Sequence, residues 1–200
     1  STTVHGAAIT LDKSVWVATD EGVGEIRQVA TTLEQKARAY EADTIAHHDR
    51  LGYISGVSLD VADDLSSART RDDDNDGQWT GMWLAALSFE YAVTQDPDVR
   101  VRAERASKAL RFLEEVTPRP GFIARSILPL EDCAGRLTGD PEVVGEWHES
   151  EDGVWCWKGN TSSDEFIGHV YGQAFYHDLV ANDAEKAAVA AYLGRMVDDA

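Results

Sequence analysis

Lysine is scarce in this 200-residue chain, with 5 against 13 arginines, and those 18 cations face 36 carboxylates for a formal net charge of −18. A surface so poor in cations cannot neutralise a phosphate backbone, which excludes nucleic acid as a general partner. The acid excess keeps a protein in solution and is tolerated best where salt screens self-repulsion. No apolar run approaches the roughly eighteen residues that cross a bilayer, so no membrane partner is expected. The first residues carry neither the basic nor the apolar region of a signal peptide; the chain as given is expected to be soluble, with its compartment open because a leader before Ser1 could have been removed. Cysteine is limited to Cys133 and Cys156. Two cysteines without CxxC spacing build neither a disulfide framework nor a zinc knuckle; they could pair in an oxidising compartment, but free thiols are the simpler expectation. There is also no GxSxG elbow, P-loop or GxGxxG turn, which argues against serine hydrolases, NTPases and dinucleotide enzymes.

What the chain does have is 43% hydrophobic residues, enough for one substantial core, and one very acidic run. Arg71-Asp72-Asp73-Asp74-Asn75-Asp76-Gly77 packs four carboxylates into five residues and turns directly into an apolar helix. Such density requires a counter-ion, a cationic partner or full solvation. The spacing Asp72-x-Asp74-x-Asp76-Gly77 matches the first half of a calcium loop, but the twelfth position, where a bidentate Glu belongs, is Trp83. Calcium is therefore the less favoured ion. A carboxylate cluster at a helix N-terminus remains, with Asp76 as a cap in its simplest reading.

Organisation follows from periodicity and punctuation. Residues 14–19 and 23–26 read as a β-hairpin turning at Asp20-Glu21-Gly22. A helix capped by Thr32 is expected to run to Gly52, followed by an irregular stretch from Tyr53 to Asp76. Gly77 to Thr94 is an apolar helix, and Asp96-Pro97 starts another through Val116, with Val101, Ala106, Leu110 and Leu113 on its buried side. The stretch from Pro118 to Gly159 reads as a long loop of functional interest. A helix capped by Ser162 or Ser163 then reaches Val180, and a last one spans Ala184 to Asp199.

The expected fold class is mainly α: αα-hairpins with a short N-terminal β-hairpin, divided into residues 1–30 and 31–200. The VWVAT hairpin resembles one blade of a two-component-regulator β-propeller. Repeated helical hairpins with aromatic and acidic loops resemble the (α/α) toroid, or six-hairpin, architecture of glycoside hydrolases and polysaccharide lyases. The order of the VWVAT hairpin, His48-x-Arg50, Asp74-Asn75-Asp76-Gly77-x-Trp79-Thr80, Pro120-Gly121-Phe122-Ile123-Ala124-Arg125-Ser126 and Trp157-Lys158-Gly159-Asn160-Thr161-Ser162-Ser163-Asp164-Glu165 with His169 is similar to bacterial proteins that join such a propeller to such a helical domain. That resemblance implies about half a toroid, whose uncovered helix faces would be buried in a homodimer. It implies a fold and a site location rather than a chemistry.

Glu165 and His169, four residues apart on one helix face, have the spacing of a metal-ligand pair. With His48 and with Asp74 or Asp76 they form a candidate N/O site for a divalent ion such as zinc or manganese, which would activate a bound water. The expected function is a metal-dependent hydrolase of an ester, phosphoester or glycosidic bond, with Asp74, Asp76, Glu165 and His169 catalytic. Arg125 and Lys158 could receive an anionic group of a small-molecule or saccharide substrate, while Trp155 and Trp157 could stack on it. Two alternatives stand beside this reading: metal-independent carbohydrate hydrolysis or elimination by paired carboxylates, and a noncatalytic ligand-sensing module of a propeller-containing regulator.

Overall fold

A computed structural model describes residues 3–72, 74–137 and 146–199. The chain divides into two compact units, Ser1–Ala42 and Asp43–Ala200. In the first, β1 (Val4–Ile9), β2 (Val15–Thr19) and β3 (Gly22–Ile26) form an antiparallel sheet in the order β1-β2-β3. Trp16 lies opposite Glu25 across the expected hairpin; β1 is a third strand that alternation did not reveal. Helix α1 (Leu33–Asp43) opens on a capping box, with Gln35 N–H donating to Thr32 Oγ1 at 3.1 Å and Thr32 N–H donating to Gln35 Oε1 at 3.0 Å. It buries no residue.

Among the described residues the second unit is built on four α-helices: α2 (Asp76–Thr94), α3 (Pro97–Glu115), α4 (Ser163–Leu179) and α5 (Asp183–Asp199). Each begins where local chemistry permits. Asp96 caps α3 by accepting from Asp98 N–H at 2.8 Å, and Pro97 occupies the first helical position, where a missing N–H is harmless. Between α2 and α3 the chain turns through Gln95, in the left-handed conformation at φ 55°. The core between these helices is Leu84 and Leu87 of α2, Val99 and Leu110 of α3, Tyr176 of α4 and Val189 of α5. On α3 the buried face includes Val99 and Ala103, whereas Val101, expected inside, is 62% exposed.

The expectation of a mainly α fold is overturned. Among the described residues about 50% are helical and 19% lie in strands, making a mixed α/β fold with four small sheets. The expected helix to Gly52 stops at Asp43, passes through a π turn at Thr44–His48, and gives way to β4 (Asp49–Arg50), which pairs with β5 (Tyr53–Ile54). The supposedly irregular stretch contains the hairpin of β6 (Val57–Leu59) and β7 (Ala68–Thr70). The long loop contains β8 (Ile127–Pro129), β9 (Trp147–Glu149) and β10 (Trp155–Lys158), ordered β8-β10-β9. Strands of two to four residues are too short for alternation to show. They persist because Tyr53, Ile127 and Trp157 pack on Leu113 of α3 in a second core.

Cys133 and Cys156 are disulfide-bonded, which corrects the expectation of free thiols. The bond joins positions 23 residues apart and stabilises chiefly by restricting the unfolded chain. No helix among the described residues is long and apolar enough to cross a membrane.

Candidate functional site

The site is set by an unusually close helix crossing. Gly77 and Gly81 on α2 face Gly168 and Gly172 on α4, each pair spaced four apart and therefore on one helix face. A Cβ on Gly81 would lie 2.0 Å from Gly168 O, and one on Gly168 would lie 2.4 Å from Gln78 Cα. Only hydrogen atoms fit there, so the two backbones touch and the polar groups at the N-terminal ends of both helices are brought together. A Cβ on Gly77 would come within 2.4 Å of both His169 Nε2 and Glu165 Oε2.

Glu165, in the first turn of α4, does not cap its own helix. Its Oε2 accepts from Gly77 N–H at the start of α2, at 2.7 Å. Burial pushes its carboxyl up to about 8, helped by the charge of nearby Asp76 and opposed by the Gly77 and Gln78 N–H groups and by the charge of Arg125. One turn on, His169 is fully buried and burial holds its imidazole at about 3, so the ring is neutral. The hydroxyl of Tyr192 from α5 meets Nδ1, while Nε2 has no hydrogen-bond partner.

Asp76, also fully buried, has the opposite surroundings. Its Oδ2 pairs with Arg50 Nη2 and accepts from Ser126 Oγ at 2.6 Å. Arg50 is fixed in turn by Ile127 O at 2.7 Å and by its position 5.9 Å from the Tyr53 ring centroid. A buried guanidinium and a hydroxyl donor both favour the charged form of a carboxyl group. Two carboxyl groups thus meet at one junction in opposite surroundings.

The described carboxylates of the acidic run each meet a cationic side chain. Asp72 pairs with Arg136 at 2.7 Å, Asp74 with Lys158, and Asp76 with Arg50. Asp73 lies outside the described residues. Arg125 adds a clasp, donating from Nε to Asp74 O and from Nη1 to Asn160 O at 3.0 Å, so it spans the approaches to α2 and α4. Of the five residues considered as metal ligands, Asp76, Glu165 and His169 come together. Asp74 is turned to Lys158, and His48 is placed elsewhere: its Nδ1 donates to Ser55 O at 3.0 Å and it lines a cleft of about 440 Å³ with Trp79, Met82 and Trp83. No group of three or more His, Cys, Asp or Glu among the described residues is arranged around a common point for an ion.

The candidate substrate residues separate in the same way. Arg125 and Lys158 stay beside the cluster, whereas Trp157 is buried and stacked on His148 with ring centroids 4.4 Å apart. Trp155 faces a different cavity, edge-on to Phe112 at 5.5 Å. Sequence reasoning did not assign Arg50, Ser126 or Tyr192 to the site. No local signal marks them, since each reaches the cluster across 23 residues or more. The four glycines at spacing four were the one legible sign of the crossing. No family model, curated protein or solved structure matches this chain.

Proposed function

We propose that this protein is a hydrolase that cleaves a glycosidic bond by acid–base catalysis between two carboxyl groups. The observation that carries this reading is the opposed pair at the α2–α4 junction: Glu165, kept neutral by burial, and Asp76, kept ionised by Arg50 and Ser126. Two carboxyl groups driven apart in acidity are the pattern of an acid and its partner base. Glu165 gives its proton to the leaving oxygen, and Asp76 activates water for attack at the anomeric carbon. Both groups are buried, so substrate enters when the Asp74–Lys158 pair and the Arg125 clasp release the helix ends, which frees two cations to bind an anionic sugar.

A second reading rests on the orphaned Nε2 of His169 beside Glu165. In it, Glu165 and His169 are two of the ligands of zinc or manganese, which supplies an activated water. Assays on a panel of nitrophenyl glycosides, esters and phosphoesters separate the readings. Glycoside turnover that survives chelator and falls at least about 100-fold in Glu165→Gln, with melting at pH 4 unchanged, supports the acid–base mechanism. Loss of turnover on chelation favours the metal; no turnover of any substrate sinks both and leaves ligand sensing.

The assembly proposed is a homodimer. Trp79, Met82, Phe89 and Val93 on α2 and Ile167 and Tyr171 on α4 are exposed and uncharged. In a chain of net charge −18, such a stripe is the surface on which two copies meet without repulsion. Phe89→Glu is expected to convert a dimer to a monomer in sedimentation; a monomeric wild type refutes the assembly.

A further inference from the structure

A sizeable cavity lies away from the carboxyl pair. About 670 Å³ in volume, it lies against α3, with Tyr53 and Ile127 at its base, Phe112 and Trp155 as walls, and Leu51 and Val101 at its mouth. That volume suits a small organic ligand, and a predominantly apolar lining with a few polar groups is the usual form of such sites.

The charges around it are not equivalent. Arg105 is taken by Asp49, at 2.9 Å between Nη2 and Oδ1, and Lys108 by Glu104 at 2.7 Å. Arg111 is half-buried among the aromatic walls; its Nε is buried without a hydrogen-bond partner, and it makes no ion pair among the described residues. Glu115, one turn along α3 and also lining the cavity, does not engage it. In a chain with twice as many acids as cations, a guanidinium left unpaired beside aromatic rings is an anomaly. Burying an unsatisfied cationic donor is costly, and a carboxylate that met it would restore the loss.

We propose that this cavity is a binding site for a small aryl carboxylate, whose ring packs against the edge-on pair of Phe112 and Trp155 and whose anionic end meets Arg111. The carboxylate is favoured over a phosphate because one free guanidinium answers one negative charge, while Glu104 and Glu115 at the rim repel a dianion. The rings account for an aryl rather than a sugar body, since aromatic groups prefer edge or offset contacts at these separations. The site is separate from the Asp76–Glu165 junction and does not depend on the catalytic reading.

Calorimetric titration of the full chain with 2-naphthylacetate, and with its uncharged amide, tests it. The acid is expected to bind one per chain, and the amide at least tenfold more weakly. Arg111→Met should weaken the acid at least tenfold with little effect on the amide. Val101→Trp, at an exposed position on the mouth, should weaken both because it fills the cavity while leaving Arg111 in place. Equal binding of acid and amide by the wild type, undiminished binding in Arg111→Met or Val101→Trp, or no heat up to millimolar acid would each overturn the assignment.

Discussion

Replacing Gly81 by alanine is expected to cost about 3 kcal/mol or more, the upper end of what overpacking a rigid interior costs. The added Cβ would lie 2.0 Å from Gly168 O and 2.5 Å from Gly168 C, and both are backbone atoms that no rotamer change can move. Relief requires α2 and α4 to separate along a crossing that also carries Gly77, Gly168 and Gly172. A unit of this size loses about 2–4 °C of melting temperature per kcal/mol, so a drop of about 6–12 °C is expected in a thermal scan. Gly194→Ala is the control. It sits in α5 with nothing within 4 Å of the new Cβ, so helix propensity alone acts and stability should rise by up to about 1 kcal/mol. If both substitutions behave alike, the close crossing does not exist.

The second large effect is a pH profile with two independent arms. Glu165 has its folded acidity raised from 4.5 to about 8. The stability it contributes is complete below 4.5 and is lost as pH rises through 8, because ionising the buried carboxyl costs what the unfolded chain does not pay. His169 is lowered from 6.5 to about 3. Its contribution is complete above 6.5 and is lost as pH falls through 3, because the unfolded chain binds a proton that the folded ring refuses. Between 4.5 and 6.5 the two slopes oppose and cancel. The pair therefore gives a plateau there, with losses of about 2 kcal/mol on the alkaline side by pH 8 and about 2 kcal/mol on the acid side by pH 3.

Glu165→Gln imitates the neutral carboxyl and should remove the whole Glu165 slope: the alkaline arm disappears, the plateau between 4.5 and 6.5 becomes a rise, and the variant gains on wild type from pH 4.5 upward. Denaturant titrations of both proteins across pH 3 to 9 measure the difference directly. A wild type and variant with parallel profiles would show that Glu165 is ionised in the fold. The same substitution removes the proposed acid, so a variant that is more stable at pH 8 and inactive distinguishes a catalytic role from a purely structural one.

Much of the second unit was legible locally. Asp96-Pro97 marks the start of α3, and the apolar periodicity after Gly77 places α2. The spacing of Glu165 and His169 puts both on one face, because residues four apart on a helix are neighbours whatever surrounds them. The strands were not legible: β4 and β5 have two residues each, and their pairing is justified only by Tyr53 packing on α3. Nor could the sequence choose among the carboxylates of the acidic run. Asp74 and Asp76 look alike in isolation, yet one faces Lys158 in solvent and the other is sealed against Arg50 and Ser126.

The sequence by itself determined where the helices of the second unit begin and end and that Glu165 and His169 share a face. Those features follow from periodicity and from contacts a few residues apart. Only the tertiary structure decided that Asp76 completes the junction, that Cys133 meets Cys156, and that Gly81 opposes a change which helix propensity alone would favour. Each of these depends on which distant backbone or charge arrives at a given point, and spacing along the chain carries no record of that.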